Sequence, residues 1–167
     1  MISSSLAQVG PPKGGILTPG VSWVGLLPLL VLAGAAVLLL SIASFTKGRL
    51  PPVFCPIYML LASIGTIGAA VPLWIRVQDV NARGPFATLD SAYGIDGFSV
   101  FITILLATVV GLVGLLASDY LKRESLDGPE FYVLMMLSAS GGIIMASAND
   151  LIVMFLGLEI LSLAVYV

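Results

Sequence analysis

Val21–Phe45, VSWVGLLPLLVLAGAAVLLLSIASF, runs for 25 residues without a formal charge. A bilayer's hydrocarbon core is ~30 Å thick and takes ~20 apolar helical residues to cross. The stretch is therefore long enough to span and too long for the apolar core of a secretory leader. Pro28 inside it is tolerable, because neighbouring helices can satisfy the backbone group that a proline frees. Residues 1–20, before it, are rich in Ser, Pro and Gly and read as a flexible tail.

The same pattern recurs downstream. Further spans are expected at about 54–75, 98–118, 131–147 and 151–167. The fold predicted is an all-α, polytopic bundle of five transmembrane helices, with the lipid bilayer as its solvent. Pro51 and Pro52 mark the entry to the second span, and Trp74 suits an interfacial anchor near its exit. A mixed-charge loop with a Gly84-Pro85 turn, residues 76–95, separates spans two and three. A polar loop, 119–130, separates three and four, and Asn149-Asp150 turns tightly into the fifth. Of the 167 residues, 59% are hydrophobic and 10% charged. Soluble domains carry ~25% charged residues, so the length of one soluble domain is overruled by the composition.

Several function classes drop out. The net charge is −2 and the seven Lys and Arg are scattered, so there is no nucleic-acid footprint. With no His and one cysteine, Cys55, there is no disulfide framework and no Cys/His metal or haem motif. Cys55 reads as a small core residue. No phosphate loop or dinucleotide fingerprint is present, and Gly141-Gly142 reads as close helix packing. Lys47, Arg49, Lys122 and Arg123 fall on one side of the membrane and Lys13, Arg76 and Arg83 on the other. The positive-inside rule then puts the N-terminus outside.

Most of the nine acids have local explanations. Asp96 and Asp150 stand where N-caps of the third and fifth helices belong. Asp127-Gly128-Pro129-Glu130 has the form of a capping box with proline in the first turn. Asp79 and Asp90 lie in the long loop, and Asp119 and Glu124 flank Lys122 and Arg123 in solvent. Glu159 has no such explanation. It lies nine residues beyond Asp150, ~13 Å along a helix and near the bilayer midplane. Phe155, Leu156 and Leu163 surround it one turn away, and Ser162 is the polar neighbour on its face.

An ionised side chain at the centre of a span costs ~2.5–3.5 kcal/mol. Intramembrane hydrogen bonds average ~0.6 kcal/mol, too little to repay that cost. Glu159 is therefore the candidate functional residue by default. Two chemistries are open. A desolvated carboxyl can exchange protons near working pH, or the carboxylate can pair with a buried cation. Every Lys and Arg here lies outside the spans, so such a cation must come from elsewhere. The chain also stops at Val167 without a polar flank, as expected for the N-terminal part of a longer membrane protein.

Gly128–Val167, GPEFYVLMMLSASGGIIMASANDLIVMFLGLEILSLAVYV, resembles the subunit N family of the proton-pumping NADH-quinone oxidoreductases (respiratory complex I). The sharpest likeness is Asn149-Asp150-Leu151, then Gly157-Leu158-Glu159-Ile160-Leu161-Ser162-Leu163 and Tyr166-Val167. Ile95-Asp96-Gly97-Phe98-Ser99 and Ser118-Asp119-Tyr120-Leu121 extend it upstream. Residues 1–94 are similar only in hydropathy and span order. The resemblance implies an antiporter-like subunit built around inverted repeats. Residues 21–127 would supply its first three helices, and 128–167 would begin the proton-translocating domain. It also implies that Glu159 is a proton-relay carboxylate working with a lysine on a later, broken helix. No cofactor is implied in this chain: NADH, flavin, iron–sulfur clusters and quinone would belong to partner subunits in the plasma membrane complex. Subunits of multi-subunit cation/proton antiporters also carry a fifth-helix glutamate, but the GLE-x-x-SL-x-x-Y arrangement favours subunit N. A non-translocating structural subunit, with Glu159 as a buried hydrogen-bond donor, is the remaining alternative.

Overall fold

A computed structural model describes residues 21–46, 51, 53–79, 84–123 and 128–166. The elements are α1 (Trp23–Phe45), α2 (Phe54–Gln78), β1 (Phe86–Thr88), β2 (Tyr93–Ile95), α3 (Gly97–Arg123), α4 (Pro129–Ala146) and α5 (Leu151–Tyr166). Helices α1 to α4 are long and apolar enough to cross a membrane, and α5, with 16 residues, is shorter. The five-helix bundle expected from the apolar runs is the fold observed. The tail at 1–20, Lys47, Arg49 and Arg83 lie outside the described residues.

Helix ends follow local chemistry more than hydropathy. α2 runs on to Gln78 and α3 to Arg123, each past the apolar limit of its span. Basic residues in these last turns, Arg76 in α2 and Lys122 and Arg123 in α3, suit the negative end of the helix dipole. At the start of α3, Asp96 Oδ1 accepts from the Ser99 amide at 2.7 Å, and the Asp96 amide donates back to Ser99 Oγ at 3.0 Å. That reciprocal pair is a capping box. Asp150 Oδ1 accepts from the Ile152 amide at 3.2 Å at the start of α5. At α4 the N-cap position is Gly128, with Pro129 opening the helix and Glu130 in the first turn; Asp127, the other half of the expected box, lies outside the described residues. Proline pre-sets the helical φ, which suits it to the first turn.

The core runs through α1, α2 and α4, with Val110 and Leu121 joining it from α3. Leu32, Ala36 and Leu39 pack with Cys55, Met59 and Ala62 and with Tyr132, Met136 and Ile143. Cys55 is buried and unpaired, a core residue as its setting suggests. The α2–α3 seam is made of small residues: Ser63 Oγ donates to the Ala107 carbonyl. Other buried hydroxyls bond back to their own helix. Thr66, Thr103 and Ser140 each donate to the carbonyl four residues earlier at 2.8 Å. Such bonds satisfy polar groups where there is no water to do so. Outward faces carry exposed apolar side chains such as Leu38, Leu61 and Leu116.

The stretch read as a long loop holds a hairpin. β1 and β2 pair antiparallel in the register Phe86↔Ile95, Ala87↔Gly94 and Thr88↔Tyr93. The connecting turn is closed by the Ala92 amide on the Leu89 carbonyl at 3.1 Å. Leu89, Asp90 and Ser91 all have left-handed φ, at 54°, 55° and 70°. The hairpin is seated on the bundle. The Ser22 amide donates to Thr88 Oγ1 at 2.7 Å, and Arg76 lies 3.8 Å over the Phe86 ring. Tyr93 and Ile95 are buried beside Ala70, Leu73 and Val100, with Trp74 packed against the same cluster. The start of α1, the α2–α3 connection and the α4–α5 turn thus meet at one end of the bundle.

Candidate functional site

α5 has two unlike faces, and glycine decides which of them meets α4. A Cβ on Gly141 would lie 2.5 Å from the Leu161 amide nitrogen and 2.7 Å from the Gly157 carbonyl oxygen. A Cβ on Gly157 would lie 2.9 Å from the Met145 amide nitrogen and 3.0 Å from the Gly141 carbonyl oxygen. The two backbones therefore touch at a reciprocal glycine contact, which no residue with a side chain allows. Gly141-Gly142 does serve helix packing. Gly141 meets α5, whereas Gly142 faces Leu106 of α3. Ser138 Oγ adds a donor to the Leu161 carbonyl at 3.4 Å.

Glu159 lies two residues from Gly157, ~200° around the helix, and so on the opposite face. It is exposed, among Ile152, Phe155, Leu156, Leu163 and Tyr166, all likewise exposed. Ser162 does not reach the carboxylate: its hydroxyl donates to the Glu159 backbone carbonyl at 3.1 Å. Among the described residues, Arg76, Lys122 and Arg123 are all in the last turns of α2 and α3. None of them sits beside the middle of α5, so the described residues bring no cation to Glu159. They also contain no group of His, Cys, Asp or Glu placed to hold a metal.

Hydropathy did not reveal the hairpin's grip on the start of α5. Tyr93 bridges to Ala148, the Gly94 amide donates to the Ser147 carbonyl at 2.7 Å, and the Asn149 amide donates to the Ala92 carbonyl at 3.0 Å. Asn149 Nδ2 donates to the Ser91 carbonyl at 3.1 Å. Burial pushes the Tyr93 phenol above the usual tyrosine range, and its side-chain hydrogen bond with Ser147 pulls the other way. A signal was present in the sequence: Phe86-Ala87-Thr88 and Tyr93-Gly94-Ile95 flank a polar Asp90-Ser91 turn. Three-residue strands are too short to display an alternating pattern.

These features define a class: a multi-pass membrane helix bundle with one acid on the uncovered face of its last described helix. No protein-family model matches the chain. It is 34% identical over 155 residues to NADH-quinone oxidoreductase subunit N 2 of Roseiflexus castenholzii, covering 91% of this chain and 29% of that protein. Against subunit N of Maricaulis maris it is 34% identical over 142 residues, covering 85% of this chain and 28% of the relative. Against subunit N of Methylobacterium nodulans the identity is 39% over 107 residues, 61% of this chain and 22% of the relative. Over most of its own length the chain is thus homologous to NADH-quinone oxidoreductase subunit N proteins. It spans under a third of the length of the curated relatives it matches.

Proposed function

We propose that this chain is part of a proton-translocating membrane subunit of an NADH-quinone oxidoreductase, with Glu159 as a relay carboxylate. One observation carries the reading. The acid lies ~13 Å along α5 from Asp150, on the face turned away from α4. A carboxylate left to lipid at that depth is costly, so its face is one that protein must cover. The covering element brings a cation, because none of the described cations is near. Glu159 and that cation titrate as a pair, so a shift in their separation changes the proton affinity of both. Electron transfer from NADH to quinone, in partner subunits that hold the flavin, iron–sulfur clusters and quinone, supplies the energy for that shift. On this reading residues 128–167 open the translocating domain and the N-terminus lies outside the plasma membrane. Residues 1–167 alone would not move protons.

Glu159→Gln in the native assembly tests the role, because the amide keeps the shape and cannot ionise. The expected result is an assembled complex whose NADH-driven pumping into inverted vesicles falls to background. Pumping at the wild-type level would leave Glu159 a structural hydrogen-bonding group. Purification without flavin and iron–sulfur subunits would favour a cation/proton antiporter instead.

A further inference from the structure

Two contacts hold α5. The Gly141–Gly157 seam sets how closely α5 lies against α4, with the Met145 side chain against Gly157 and Ser138 Oγ on the Leu161 carbonyl along it. A second hold, made by a different part of the chain, lies where α5 begins. There the turn 147–150 is held by the Gly94 amide, by both nitrogens of Asn149 and by the strand bridge to Tyr93. Tyr93 is 4% exposed and Ser147 5%, so this end of the contact is anchored in the core. The other end is built on a turn whose Leu89, Asp90 and Ser91 occupy left-handed backbone, disfavoured for residues with a Cβ. That turn presents the Ser91 and Ala92 carbonyls together, and Asn149 donates to both. A costly conformation whose product is a pair of acceptors for one residue has the form of a positioning device.

We infer that the β1–β2 hairpin is a latch that fixes the depth and facing of Glu159 by fixing where α5 starts, with Asn149 and Tyr93 as positioning residues. The inference rests on the relay reading of Glu159. A helix that starts one residue late carries the carboxyl ~1.5 Å along and ~100° around the axis, off the face where its partner must lie. The latch therefore acts on proton affinity without touching the proton.

The test uses the native assembly and reads Glu159 directly, through its labelling rate with a hydrophobic carbodiimide and the pH midpoint of pumping. Asn149→Ala removes the side-chain donor, and Tyr93→Phe removes the hydroxyl shared with Ser147. Each is expected to change the labelling rate by about two- to tenfold, the equilibrium effect of losing one hydrogen bond, and to move the pH midpoint. Ser91→Gly keeps the carbonyl and suits the left-handed backbone, so it is expected to leave both readouts unchanged. Assembled Asn149→Ala and Tyr93→Phe with wild-type labelling and pH midpoint overturn the latch while leaving the relay intact. Wild-type pumping in Glu159→Gln overturns the relay reading, whatever the labelling shows. If the latch variants do not assemble, amide exchange on the unsubstituted assembly decides. Slow exchange at Gly94 and Asn149 supports the latch, and exchange at the rate of an open loop overturns it.

Discussion

The two faces of α5 solve opposite problems. The face on α4 has been stripped to backbone: Gly157 meets Gly141 and Met145 at distances that leave no room for a Cβ. The other face keeps its side chains, with Phe155, Leu156, Leu163 and Tyr166 around a single acid, and all of these stay exposed among the described residues. The first face is finished within this chain. The second makes physical sense only against further protein, because carbon can face lipid at that depth and a carboxylate cannot do so cheaply. Completeness can thus differ between two sides of one helix.

The comparison breaks most visibly at the acid. Glu159→Leu turns the second face into an ordinary lipid-facing surface. The expected outcome is insertion and assembly at wild-type levels with NADH-driven pumping at background, measured in inverted vesicles. The glycine face should respond in the reverse sense. Gly141→Ala and Gly157→Ala are each expected to cost ~1–3 kcal/mol by overpacking, read as a lower unfolding temperature in detergent. The double variant should cost less than the sum, because both changes open the same contact. Gly34→Ala in α1, where an added Cβ meets nothing within 4 Å, is expected to leave the unfolding temperature unchanged or slightly raised.

Smaller effects refine the picture at the end of the bundle where α5 begins. Asp96→Ala removes the capping box of α3 and is expected to cost ~0.5–2 kcal/mol, with Asp96→Asn recovering most of it. The Tyr93 phenol is held protonated by burial, so its folded-state pKa lies above the unfolded value. Its stabilising contribution is then complete below pH ~10 and lost as pH rises through the folded value. Thermal unfolding followed across that range should show the loss, and Tyr93→Phe should remove it.

Much of this was legible in the sequence because a bilayer leaves little freedom. Val21–Phe45 has one physical solution, and the later runs repeat it. Asp96 and Asp150 were legible as caps because short acids before an apolar helix have few other uses. In Asp127-Gly128-Pro129-Glu130 the helix start was legible to within a residue: Gly128 takes the N-cap position and Pro129 opens α4. Gly141 was legible as packing, but its counterpart Gly157 was not, because one glycine in an apolar run does not say which helix it meets. The hairpin escaped because its strands are three residues long and its turn uses Leu89, Asp90 and Ser91 where glycine would have signalled a left-handed bend.

By itself the sequence determined that this chain is a membrane helix bundle, and that one acid in it lacks a local reason. Both follow from transfer free energies, which depend on composition and depth. Only the tertiary structure decided which face of α5 the acid occupies, that the opposite face closes on α4 through two glycines, and that a hairpin from another loop grips the start of the helix. Those depend on contacts between residues far apart in the chain, and a run of hydropathy carries no record of them.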